Sequence, residues 1–196
     1  MYHIKERVSS YVEVKKSKFY GLLIPVDDEN NVKDIINGIK KEYPSATHYC
    51  YGLIIGNITR SNDDGEPSST AGKPILETLK NSELDNVLCV VVRYFGGTLL
   101  GTAGLVKAYR QATAEAIKLA KFTVPTTVYN YKVTVPYEYT NKLEFLFRND
   151  VDILERQFTD SAIYICQMEK DISQEIQQVT NGNCEIQFIN EEIVER

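Results

Sequence analysis

Apolar and polar positions along the chain fall into short blocks whose spacing changes several times. Two runs, Ser10–Val14 and Phe19–Val26, read as strands, with Lys15-Lys16-Ser17-Lys18 between or within them. A polar patch from Asp27 to Asn31 opens a stretch in which Val32, Ile35, Ile36 and Ile39 recur at helical spacing. This predicts a helix through about Lys41, with Pro44 as a stop signal beyond it. His48–Ile55, rich in Tyr and Ile, reads as a strand. Residues 57–73 are polar and turn-rich, a long connection of a kind that is functional more often than not. Pro74–Lys80 predicts a short helix whose Pro sits in the first turn, where a missing N–H costs nothing. Val87–Arg93 is a continuous apolar run, as expected of a central strand covered on both faces. It feeds a glycine-rich turn, Tyr94–Gly104, and then a helix to about Ala120. Leu105, Ala108, Ala112, Ala116 and Leu119 make that helix's buried stripe, with Lys107, Arg110, Gln111 and Lys118 on the other side.

Pro125-Thr126-Thr127 reads as a linker, which divides the chain into residues 1–125 and 126–196. Beyond it the expected order is strand (Val128–Val135), helix (Glu138–Asn149), strand (Asp152–Phe158), strand (Ser161–Met168), helix (Ile172–Asn181) and strand (Glu185–Ile189). Tyr129, Tyr131, Val133 and Val135 alternate onto one face of the first of these strands. A β-α-β-β-α-β order predicts a ferredoxin-like plait, so the whole chain is expected to be an α+β protein of two domains.

Charge divides along the same boundary. The chain's net charge is -5, but residues 1–125 carry 16 Lys+Arg against 14 Asp+Glu, and residues 126–196 carry 6 against 13. Phosphate neutralisation needs clustered cations, so any nucleic-acid contact belongs on the first half. The first residues lack the apolar run of a signal peptide, and no stretch approaches the length of a membrane span, which predicts a cytoplasmic protein. Cys50, Cys89, Cys166 and Cys184 lie far apart in apolar segments, as expected of buried thiols rather than zinc ligands or a disulfide framework.

Two stretches concentrate the candidate chemistry: Asp63-Asp64-Gly65-Glu66-Pro67-Ser68-Ser69-Thr70-Ala71-Gly72-Lys73-Pro74, and the run from Arg93-Tyr94-Phe95-Gly96-Gly97 to Gly104-Leu105-Val106-Lys107-Ala108-Tyr109. Each leads into a predicted helix, where free amides and the positive dipole end attract anions. Lys73, Arg93, Lys107 and Arg110 supply charge beside them, and the amides of Gly72, Gly97, Thr102 and Gly104 are the candidate anion or RNA contacts. The alternative is that the glycines serve only backbone conformation and close packing. No nucleotide motif fits. Pro74 follows Gly72-Lys73 where a phosphate-binding loop needs Ser or Thr, and Gly96, Gly97, Gly101 and Gly104 do not give the dinucleotide spacing. Gly101-Thr102-Ala103-Gly104 matches a KH-type loop only in its two glycines. Asp63, Asp64 and Glu66 offer ligands to a divalent cation near His48, or else cap a turn and pair with Arg93. His48 and Cys50, two apart on a strand, face the same way, either as a reactive pair or as core residues.

The two glycine-rich stretches, DDGEPSSTAGKP and RYFGGTLLGTAGLVKAY, closely resemble the signature of the IMPACT (YigZ-like) family. Lys16-Ser17-Lys18-Phe19 and Ala46-Thr47-His48-Tyr49-Cys50 resemble further landmarks of that family, and Ser69 stands where it usually has glycine. The resemblance covers most of residues 10–120. It implies a first domain of the ribosomal-protein, left-handed β-α-β kind, as in the fourth domain of elongation factor G. The second domain is similar to the small one that accompanies this module in bacterial members. The implied role is translation control or RNA binding, with no established catalytic activity, and no cofactor is expected.

Three functions are therefore expected to compete: a translation-associated binder of RNA or the ribosome through the first domain; a protein-interaction module using the acidic second domain; and a metal-dependent enzyme acting on a phosphorylated small molecule through Asp63, Asp64 and Glu66.

Overall fold

In the computed structural model, which describes residues 1–196, the chain divides into two compact units, Met1–Val124 and Pro125–Arg196. No helix is long and apolar enough to cross a membrane.

The first unit is built on the strand the sequence marks most strongly. Its elements are β1 (His3–Ile4), β2 (Val8–Val14), β3 (Ser17–Pro25), α1 (Val32–Glu42), β4 (His48–Ile55), β5 (Ile58–Asn62), α2 (Gly72–Asn81), β6 (Val87–Tyr94), α3 (Gly101–Leu119) and β7 (Phe122–Thr123). Five strands make an antiparallel sheet in the order β2-β3-β6-β4-β5, and β1 pairs with β7 in a separate small ribbon. Because β6 is central, both of its faces are covered. Val87, Cys89 and Val91 join the cluster beneath α2 and α3, whereas Leu88, Val90 and Val92 join the cluster beneath α1. This is why the run shows no alternation: both sets of side chains leave water. Strands β3 and β4 flank β6, each antiparallel to it, so the β3-α1-β4 connection joins two parallel strands.

The second unit contains β8 (Pro125–Val135), α4 (Thr140–Phe147), β9 (Val151–Phe158), β10 (Ala162–Met168), α5 (Ser173–Val179) and β11 (Glu185–Glu195). Its sheet runs β11-β8-β10-β9 with every neighbour antiparallel. Val133 and Val135, with Tyr129 and Tyr131, pack into one cluster with Leu143 and Phe147 of α4 and Ile176 of α5. Both helices thus cover one face of the sheet.

Several boundaries differ from the sequence reading. Strand β5 lies inside the expected loop, held by its backbone ladder to β4 rather than by apolar residues. Pro125–Thr127 is not a free linker but the start of β8, paired with Ile193–Glu195 at the far end of β11. That pairing carries β11 six polar-rich residues past the expected end at Ile189. The helix expected from Glu138 begins as a short 3-10 turn at Tyr137–Tyr139, and α4 proper ends at Phe147.

Candidate functional site

Register brings the chemistry-bearing segments to one end of the first unit's sheet. Val14 pairs with Ser17, Lys18 lies opposite Tyr94, His48 opposite Arg93, and Tyr51 opposite Asn62. The β2-β3 turn, the loop leaving β5 and the loop leaving β6 therefore emerge side by side, and α2 and α3 begin there.

The loop after β5 folds around Asp63. One carboxylate oxygen accepts the amides of Ala71 (3.0 Å) and Gly72 (2.8 Å), and the other accepts the amide of Ser69 (2.8 Å). Asp64 accepts the amide of Tyr49 at 2.7 Å. Glu66 is buried, and its Oε1 accepts from Arg93 Nη1 (2.5 Å) and the Tyr109 hydroxyl (2.7 Å). Arg93, only 4% exposed, lies with its guanidinium carbon 5.5 Å from the Phe19 ring centre and 5.7 Å from that of Phe95. Its Nη2 is 3.4 Å from Ser17 Oγ, while its Nε is buried without a hydrogen-bond partner. An ion pair here binds the two glycine-rich segments together from within.

His48 Nδ1 is 2.7 Å from the Asp64 carbonyl, which can only accept, so this nitrogen carries the proton. Its Nε2 lies 3.8 Å from Glu66 Oε2. Cys50 Sγ sits 3.0 Å from the Asp63 carbonyl and 3.3 Å from the Tyr109 hydroxyl. Burial drives the Cys50 thiol and the Tyr109 hydroxyl well above their ordinary titration ranges, so both stay protonated. His48 and Cys50 are thus engaged with separate carbonyls of one loop rather than with each other, an arrangement that secures the loop and leaves the thiol inactive as a nucleophile.

The loop after β6 is pinned at its base and open at its tip. Thr47 Oγ1 accepts the Phe95 amide (2.9 Å), and Ser17 Oγ accepts that of Gly96 (3.1 Å). Gly96 lies so close to the β2-β3 turn that a Cβ there would stand 2.0 Å from the Lys16 carbonyl carbon. Gly97, by contrast, is exposed at φ +81 with open space around it. Gly101, Thr102 and Ala103, the first turn of α3, are exposed, and no side chain caps that helix. Its first amides are therefore free to meet solvent or an anion.

The sequence-derived site residues consequently divide. Lys73 and Lys107 are exposed, as are Gly97 and Thr102; Gly104 is partly buried. Arg110 is exposed but paired with Glu77 of α2 at 2.6 Å. Arg93 and Gly72 face inward: the guanidinium is held by Glu66, and the Gly72 amide already serves the Asp63 carboxylate. Of the two helix entrances expected to offer bare amides, only that of α3 does so. Of the two alternatives for Asp63, Asp64 and Glu66, the structure shows turn-capping and pairing with Arg93, and no group of His, Cys, Asp or Glu side chains is placed to hold a metal ion. The sequence reading assigned no role to Lys15, Lys16 and Lys18, which are exposed around the same end. The two-residue spacing between Val14 and Ser17 was the available signal. Phe95 and Tyr109 lie within the second glycine-rich stretch, but nothing in that pattern assigns either side chain a role.

Lys15 and Lys16 form the whole turn between the paired Val14 and Ser17, at φ 47 and 66. Such turns favour Asn-Gly, because a Cβ is strained in this region. Ser69 is at φ 62, a conformation suited to glycine. The substitution Ser69→Gly is expected to raise stability by about 1 kcal/mol, since it removes that strain and keeps the amide on Asp63. Urea unfolding should show a higher midpoint at unchanged slope.

Comparison with known proteins agrees with these motifs. The family model described as the Impact N-terminal domain matches residues 15–117. An IMPACT family member of Haemophilus influenzae is 35% identical over 187 residues, covering 90% of this chain and 91% of that protein. The IMPACT family member YvyE of Bacillus subtilis is 32% identical over 191 residues, covering 93% and 88%. A solved crystal structure described only as that of a hypothetical protein superposes at a TM-score of 0.63 with 27% identity, covering 96% of this chain and 97% of its own.

Proposed function

The chain belongs to the IMPACT family, and from that premise we propose that it is a non-catalytic, translation-associated protein that binds RNA or the ribosome through one end of its first unit. A single observation carries this reading. In a chain of net charge -5, Lys15, Lys16, Lys18, Lys73 and Lys107 are exposed around one end of the sheet, while at the same end Glu66 is sealed against Arg93 and the Asp63 and Asp64 carboxylates are held by backbone amides. The free first turn of α3 adds amides to this positive field.

Backbone strain supports the same end. The turn holds two lysines where Asn-Gly is easier, so this end retains backbone strain. The reading also takes β3-α1-β4 as the left-handed β-α-β unit of ribosomal-protein domains and the second unit as a ferredoxin-like plait. The parallel relation of β3 and β4 supports a β-α-β unit, and the β11-β8-β10-β9 strand order supports the plait.

Binding to purified tRNA or ribosomes, measured as a function of salt, tests the proposal. Affinity is expected to fall steeply as salt rises, because each neutralised phosphate releases counterions. The double substitution Lys15→Asn/Lys16→Gly should weaken binding and reduce the magnitude of the slope of log affinity against log salt by about 1–2. The same variant should be about 1 kcal/mol more stable, having lost the strained turn. Absence of binding at low salt, or an affinity indifferent to salt, overturns the reading.

A further inference from the structure

Phe95 is one of several large apolar residues of the first unit that are exposed, with Tyr11, Leu99 and Phe122 among them. It belongs to neither hydrophobic cluster, and 47% of it is exposed. Single exposed apolar residues are ordinary on protein surfaces. What distinguishes this one is how firmly it is held. Its amide is fixed to Thr47, the next amide is fixed to Ser17, and Gly96 is wedged against the Lys16 backbone. The buried Arg93 guanidinium lies 5.7 Å from its ring centre and is itself fixed by Glu66. The ring is thus a half-exposed aromatic surface on a rigid base. The lysine turn adjoins its loop at Gly96, and the loop ends at the uncapped start of α3.

We propose that Phe95 is a stacking platform for an unpaired base, so that the preferred nucleic acid is a single-stranded segment of RNA. This inference rests on the RNA-binding reading above and names its substrate class. Every base has a π-face that can stack on an aromatic ring, but a duplex hides those faces except at its ends. Neighbouring phosphates would then lie within the field of Lys15, Lys16 and Lys18 on one side and the α3 amides on the other.

Fluorescence anisotropy with a labelled 12-nucleotide RNA, free or annealed into a blunt duplex, separates the possibilities. The single strand is expected to bind at least about tenfold more tightly than the duplex. Phe95→Ala should weaken single-strand binding about tenfold, and Phe95→Trp should restore it. Neither substitution should alter the salt slope, since neither removes a charge. Circular dichroism melting checks that both variants remain folded. If duplex and single strand bind equally, or Phe95→Ala binds as the parent does, the stacking platform is refuted while RNA binding stands. If neither RNA binds, the stacking platform is refuted, and the tRNA and ribosome titrations decide the broader reading.

Discussion

Replacing Glu66 by alanine is expected to lower the stability of the first unit by about 3–5 kcal/mol, the usual consequence of removing one partner from a buried ion pair. The Arg93 guanidinium, only 4% exposed, would keep its charge with no carboxylate opposite it, and its Nε already lacks an acceptor. The Tyr109 hydroxyl would lose its acceptor as well. Arginine cannot relieve this by deprotonating, so the cost falls on the fold. Urea unfolding followed by circular dichroism is the measurement, with Glu66→Met/Arg93→Met as the companion variant. The double variant removes both charges together and should regain most of the loss, because two apolar side chains of similar volume can replace a buried pair. A single variant within about 1 kcal/mol of the parent would contradict the account of Arg93 as fully desolvated.

The second large effect concerns Gly96. An added Cβ would stand 2.0 Å from the Lys16 carbonyl carbon and 2.2 Å from the Ser17 nitrogen, both of them backbone atoms that cannot rotate away. Gly96→Ala must therefore push the β2-β3 turn from the loop after β6, breaking the hydrogen bond that the Gly96 N–H donates to Ser17 Oγ. A loss of about 3 kcal/mol, the upper part of the range for overpacking, is expected. Gly38→Ala provides the contrast, because Gly38 lies within α1 with nothing within 4 Å of an added Cβ. That change should stabilise the protein by about 1 kcal/mol through helix propensity alone. Thermal melts of the two variants should shift in opposite directions. Displacement of the lysine turn should also weaken RNA binding by Gly96→Ala, whereas Gly38→Ala should leave it unchanged.

The contrast between these glycines shows what a linear reading discerns. Both stretches were legible as sites of unusual backbone, and the choice between packing and anion binding stayed open because glycine serves both. The tertiary structure shows which of these glycines packing requires. Gly72 and Gly96 are glycines because neighbouring backbone fills the place of a side chain, whereas Gly97 sits in open space at positive φ. Likewise Arg93 and Lys107 look alike as cations beside a glycine-rich turn. Arg93 lies on β6 opposite His48, facing Phe19 and Glu66, so it is sealed inward. Lys107 lies on the outer side of α3, as its helical spacing predicts.

The family was legible in the two glycine-rich motifs, and most element positions in order and periodicity, since burial on one or both faces imposes a repeat on each strand and helix. The Val87–Arg93 run, the stripe on α3 and the alternation of β8 are direct records of that burial. Which charges remain available to a partner was decided only by tertiary structure. A carboxylate such as Asp63 or Glu66 is captured by whichever amides, guanidinium or hydroxyl the sheet register brings within about 3 Å, a hydrogen-bond distance. Those partners lie up to 43 residues away in sequence, at Tyr109. Local pattern records whether a residue meets water, but not which group meets it there.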